Sequence, residues 1–118
     1  MPTSDRARFA AFEIVVVPFP YADKPAEKRR PALVVSGPKL SRYGLVWVAM
    51  ITSAENESWP CDVIISNLKR AGLPAPSVVR PAKIACVEAT RIERRAGRLD
   101  KAAARSVAQR LSNFLAAP

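Results

Sequence analysis

The sequence predicts a mainly β fold of α+β type: a small, strongly bent sheet or open barrel of five or six short strands, followed by one packing helix. Three observations carry that expectation. Short apolar runs rich in β-branched residues recur along the first ninety residues, each closed by proline, glycine or polar residues. The last segment changes to a helical period. At 118 residues the chain has the size of one domain with one core.

Each element has its own signal. Residues 1–11 read as a loose leader. Residues 13–19 are a strand, Glu13-Ile14-Val15-Val16-Val17-Pro18-Phe19, whose end Pro18 and Pro20 place at an edge or a bend. Residues 21–31 form a polar loop that turns cationic at Lys28-Arg29-Arg30. Residues 32–36 are a second strand, closed by Gly37-Pro38. Residues 45–52 are apolar on both faces, Leu45, Trp47, Ala49 and Ile51 on one, Val46, Val48 and Met50 on the other. That pattern predicts a central strand with Trp47 in the core. Residues 61–66 read as a fourth strand, and residues 66–72 as a helical turn ended by Gly72. Leu73-Pro74-Ala75-Pro76 is a rigid connector, and residues 77–88 alternate as one or two strands interrupted at Pro81. Val107, Leu111, Phe114 and Leu115 then fall at i, i+4, i+7 and i+8, with Ala103 and Ala104 a turn earlier. This is an amphipathic helix of about four turns, with Asp100 as its N-cap.

Composition narrows the function classes. Hydrophobic residues make up 49% of the chain, and the mean hydropathy is essentially zero, which excludes a disordered tail. The net charge is +9 and uneven: residues 61–118 carry eleven Lys/Arg against four Asp/Glu, residues 1–60 eight against six. A basic domain of this kind suits a polyanionic partner, with plain solubility as the competing reading. No segment approaches the ~20 apolar residues of a membrane span. No signal-peptide core follows Met1-Pro2-Thr3-Ser4, so a cytoplasmic protein is expected. Cys61 and Cys86 form no CxxC pair, and the chain has no histidine, which argues against structural zinc. The cysteines read as small buried apolar residues in a reducing compartment. Without histidine, any phosphate chemistry proceeds without the usual acid–base side chain.

Five blocks, in order, resemble the MazF/PemK (Kid) family of type II toxin–antitoxin toxins. They are Val17-Pro18-Phe19-Pro20-Tyr21-Ala22-Asp23, Arg29-Arg30-Pro31-Ala32-Leu33-Val34-Val35-Ser36, Ala49-Met50-Ile51-Thr52-Ser53, Ala71-Gly72-Leu73-Pro74 with Ser77-Val78-Val79-Arg80-Pro81-Ala82-Lys83, and Gly97-Arg98-Leu99. The resemblance spans nearly the whole chain. It implies one MazF/PemK-like domain over residues 1–118: a small SH3-like open barrel (CcdB/MazF-like) of five to seven strands with a C-terminal helix, usually a homodimer. The activity it implies is metal-independent, cofactor-free endoribonuclease cleavage of single-stranded RNA, leaving a cyclic phosphate and a 5′-hydroxyl. The implied partner is an antitoxin whose acidic, flexible segment blocks the basic groove. The chain departs from the family in three places. Phe12-Glu13 stands where many members have Gly-Asp, the loop between the first two strands is short, and Ala82 stands where some relatives carry an acid.

On that resemblance Arg30 and Thr52 are the expected catalytic pair. Arg30 is always charged, and its planar fork matches phosphate oxygens. Charge stabilisation by one well-placed donor is worth about 3 kcal/mol or more. The Thr52 hydroxyl can donate to a phosphate oxygen, and Ser53 can assist it or bind the next nucleotide. Lys28, Arg29, Arg80 and Lys83 are expected to bind RNA phosphates. Arginine is a poor base, so Glu27 is the candidate general base. Each has a plainer reading: a solvated hairpin charge for Arg30, a strand end for Thr52 and Ser53, a solvated strand face for Arg80 and Lys83, a surface ion pair for Glu27. Trp59, in a polar segment, is a candidate base-stacking platform.

Two other classes compete. A CcdB-like gyrase poison needs a C-terminal Trp-Gly-Ile tail, and this chain ends Leu115-Ala116-Ala117-Pro118. A non-catalytic nucleic-acid-binding barrel is permitted by fold alone. A metal-dependent nuclease is disfavoured, because Asp5, Glu13, Asp23 and Glu27 have no ligand pattern.

Overall fold

The computed structural model describes residues 9–19 and 28–118. Its strands are β1 (Glu13–Phe19), β2 (Lys28–Val34), β3 (Leu45–Ser53), β4 (Val63–Ile64), β5 (Ser77–Glu88) and β6 (Arg94–Arg98). Its helices are α1 (Pro38–Ser41), α2 (Leu68–Ala71) and α3 (Lys101–Phe114), with a 3-10 turn at Ala89–Arg91. The strands form one antiparallel sheet in the order β4-β5-β3-β2-β1-β6, curled into a half-barrel. The predicted mainly β fold with a C-terminal helix is what the chain adopts.

Alternation of side chains across the strands puts apolar residues on both faces. Val15, Val17, Ala32, Val34, Val46, Val48 and Met50 pack on one face with Phe9, Val87 and Ile92. Ile14, Leu33, Ala49, Ile51 and Val79 pack on the other, beneath Ala103 and Val107 of α3. Helix α3 begins where expected: the Ala103 N–H donates to the Asp100 carboxylate at 2.8 Å. Strand β5 is one strand with an irregularity. Its register steps from Ala49↔Ile84 to Met50↔Arg80, so Pro81, Ala82 and Lys83 are extra residues against β3. A bulge bends its strand, and Pro81, with no N–H, is tolerated there.

Four expectations are corrected. Phe9 is buried, with the Arg95 guanidinium 4.6 Å from its ring centroid, and the Ala10 N–H donates to Glu13 Oε1. The end of the supposed loose leader is therefore docked; residues 1–8 lie outside the described residues. Trp47 is 46% exposed. It shares a face with Ala49 and Ile51 but lies toward the end of α3, where cover runs out. Cys86 is exposed and Cys61 half-buried, so neither is a core residue. Strand β6 is one the sequence pattern does not predict, because Arg94-Arg95-Ala96-Gly97-Arg98 carries no apolar alternation. It is an edge strand paired to β1 alone, and arginines suit an edge.

Gly72 ends α2 in the left-handed region at φ 73°. Beside it, Gly97 of β6 lies so close that a Cβ would sit 2.3 Å from the Arg70 carbonyl oxygen. Gly97→Ala therefore forces α2 off the sheet edge. It is expected to cost about 1–3 kcal/mol by overpacking, read as a lower urea midpoint with an unchanged slope.

Candidate active site

A pocket forms where two strands part. β2 stays paired with β1 back to Lys28, but its ladder with β3 stops at Ala32↔Met50. Pro31 contributes no N–H to either ladder. Beyond that point Arg30 and Pro31 on one side face Ile51, Thr52 and Ser53 on the other, and residues 74–77 form the third wall. The pocket holds about 230 Å³. The connector is tied to the end of β3 by the Ala54 N–H, which donates to the Pro76 carbonyl at 3.0 Å. Among the described residues lining the pocket, Arg30 is the charged one.

Thr52 is 7% exposed, and its Oγ1 accepts a hydrogen bond from Asn56 Nδ2 at 2.7 Å. Ser53 is exposed, and its Oγ accepts from the Glu55 N–H at 3.1 Å. The Asn56 N–H donates to the Ser53 carbonyl at 3.1 Å, so β3 runs directly into a turn. The strand-end reading of Thr52-Ser53 and their place on the pocket wall are thus both true.

Arg80 is neither on a solvated face nor free to line a groove. It is 7% exposed, and its Nε and Nη2 donate to the two carboxylate oxygens of Asp62, each at 2.9 Å. Nη2 also donates to the Glu57 carbonyl at 2.8 Å. The Trp59 ring lies under the guanidinium, 4.3 Å from centroid to carbon. Arg80, expected to contact RNA phosphates, is thus buried with its charge answered by Asp62. Trp59 is exposed at one edge, with Arg80 stacked on its ring. No apolar signal marks Asp62 or Asn56. Both read as ordinary loop residues until the loop is folded back.

Lys28 and Arg29 are exposed at the start of β2, and Arg29 Nε donates to Glu93 Oε2. Lys83 is exposed on the β5 bulge. Glu27, the candidate base, lies outside the described residues. Among the described residues no group of three or more His, Cys, Asp or Glu side chains could hold a metal ion. No helix among them is long and apolar enough to cross a membrane.

A family model described as "PemK-like, MazF-like toxin of type II toxin-antitoxin system" matches residues 10–115. The chain belongs to that family. Solved MazF-type structures share its fold. MazF from Deinococcus radiodurans superposes with a TM-score of 0.72 at 23% identity, covering 90% of this chain and 94% of that one. An endoribonuclease in complex with its cognate antitoxin, from a mycobacterial species, gives 0.71 at 15% identity, covering 94% and 100%. The Mycobacterium tuberculosis toxin MazF-mt6 gives 0.68 at 22% identity, covering 86% and 93%. No curated protein matches. This PemK/MazF-type toxin carries its Arg30–Thr52 pocket at one end of a fold shared with those structures.

The buried pair makes a pH prediction. Its hydrogen bonds from Arg80 hold the Asp62 carboxyl below its ordinary value of 3.8, and burial opposes them in part. Asp62 in turn raises the Arg80 guanidinium above its ordinary value. The unfolded chain takes up the Asp62 proton first as pH falls. The pair's contribution is therefore complete above pH 3.8 and is lost as pH drops through the folded-state value. Asp62→Asn leaves Arg80 buried without its counter-charge, a loss of about 3–5 kcal/mol near neutrality. Denaturant titrations should show wild-type stability falling below pH 4 (about the ordinary carboxylate range) more steeply than that of the variant.

Proposed function

We propose that this toxin is an endoribonuclease that cleaves single-stranded RNA selectively, without metal or cofactor, and thereby inhibits growth. The observation that supports it is that Arg30 and Thr52 line one pocket at the parting of β2 and β3. The substrate's 2′-oxygen attacks the adjacent phosphorus and the bond to the 5′-oxygen breaks. A cyclic phosphate and a 5′-hydroxyl result, the leaving 5′-oxygen taking its proton from solvent water. Arg30 carries the phosphorane charge and Thr52 donates to one of its oxygens. Glu27, three residues before Arg30, is the base we assign to the 2′-hydroxyl proton. Ser53, Lys28, Arg29 and Lys83 supply contacts to the flanking strand. On this reading the protein works in the cytoplasm, where its substrate is.

The test is cleavage of a mixed-sequence RNA in EDTA. Wild type is expected to cut and leave 5′-hydroxyl ends, with Arg30→Ala slower by about 10²–10³-fold. RNA that is bound but left intact by wild type would instead favour a non-catalytic binding barrel.

The same proposal includes two partners. Trp47, Ile84, Phe114 and Leu115 are exposed around an apolar groove of about 450 Å³ between β3 and the end of α3. We assign that groove to a second copy of this chain. The +9 charge suits an antitoxin with an acidic, flexible segment. Sedimentation at low salt reads both assignments: a dimer for wild type, a monomer for Trp47→Glu, and a heavier complex when an acidic antitoxin is co-expressed. A monomeric wild type that binds no such partner would remove them.

A further inference from the structure

Thr52 can serve a phosphate only if its single proton points into the pocket. A hydroxyl has one hydrogen to give and two lone pairs to receive with. One lone pair of Thr52 Oγ1 already receives the Asn56 amide at 2.7 Å. Asn56 takes no part in the chemistry described above, yet its amide is hydrogen-bonded to that hydroxyl.

The loop that carries Asn56 is fastened on both sides of it. Before it, the Glu55 N–H donates to Ser53 Oγ and the Asn56 N–H to the Ser53 carbonyl. After it, Arg80 grips the Glu57 carbonyl and the Asp62 carboxylate, and Asp62 also accepts from the Trp59 N–H at 2.9 Å. An exposed asparagine on a free loop would sample many rotamers. This one is held by backbone contacts at residues 53 and 57 and by a buried ion pair a few residues on.

We infer that Asn56 is a positioning residue: its side-chain amide occupies the acceptor side of the Thr52 hydroxyl and leaves the Thr52 proton directed at a phosphate oxygen bound beside Arg30. The inference rests on the ribonuclease reading. Its sign is specific. Alanine at position 56 removes the donor and frees the hydroxyl to rotate. Aspartate at position 56 can only accept, so it draws the Thr52 proton away from the pocket.

Steady-state cleavage of a short RNA by Asn56→Ala, Asn56→Asp, Thr52→Ala and the Asn56→Ala/Thr52→Ala double variant tests it. The expected result is a fall in kcat of about 10- to 100-fold for Asn56→Ala, a larger fall for Asn56→Asp, and KM within about twofold of wild type. In the double variant the loss should equal that of Thr52→Ala alone, because the two residues act through one hydroxyl. Binding of a 2′-deoxy version of the substrate should stay within about twofold of wild type in the two Asn56 single variants. Additive losses, a loss confined to KM, or an Asn56→Asp variant as active as wild type would overturn the inference while leaving the ribonuclease reading intact. A wild-type protein that does not cut RNA would overturn the ribonuclease reading and, with it, this role for Asn56.

Discussion

One buried ion pair governs how the site end of this sheet is built. Arg80 follows the core residues Val78 and Val79 on β5 and is almost fully enclosed. A guanidinium in that position is tolerable only with a carboxylate and further acceptors around it. Asp62 and the Glu57 carbonyl supply them. Both belong to the segment between β3 and β4, so answering the charge pulls that segment down onto the sheet. The Trp59 ring then covers the guanidinium. The nine-residue loop 54–62 is thereby fastened back beside the end of β3.

The pocket depends on a second, opposite constraint: a place where the sheet fails. β2 and β3 are bonded only as far as Ala32 and Met50. Extending that register two residues would put Arg30 across from Thr52. The strands instead open there, and the connector at residues 74–77 closes the gap. An arginine and a threonine facing each other across a regular ladder would have their side chains committed to the sheet surface. Across an open gap they line a cavity. The sheet's rigidity, from apolar packing on both faces, fixes the two rims of that cavity.

Much of this architecture is legible in the sequence. The runs at residues 13–19 and 45–52 are long, apolar and β-branched, and both are strands with bounds that agree to within one residue. Gly72, Pro81 and Asp100 each mark the feature expected of them: a left-handed helix end, a bulge and an N-cap. What the sequence hides is whatever depends on distant partners. β6 is a strand because β1 offers it an edge, not because of its own pattern. Trp47 is exposed because of where α3 stops, which no local window around Trp47 records. Arg80 looks like a surface cation because its neutraliser, Asp62, lies 18 residues earlier. Arg30 and Thr52 stand out as a pair only through the resemblance to the PemK/MazF family. Asn56 carries no signal at all until the turn after β3 brings its amide to Thr52.

The missing histidine gives these arrangements their point on the ribonuclease reading. With no imidazole to shuttle protons, less of the acceleration can come from acid–base transfer near neutral pH. More must come from charge stabilisation and geometry, and those are effective only when the donors do not have to reorganise. Arginine meets that demand through its permanent charge and planar fork. Threonine does not meet it unaided, because its hydroxyl rotates. A fixed amide on the far side of that hydroxyl supplies the missing constraint, and the buried Arg80–Asp62 pair keeps the amide's loop in place. The Arg80–Asp62 ion pair and the Arg30–Thr52 pocket are thus joined through residues 56–62, although Arg80 and Asp62 themselves do not line it.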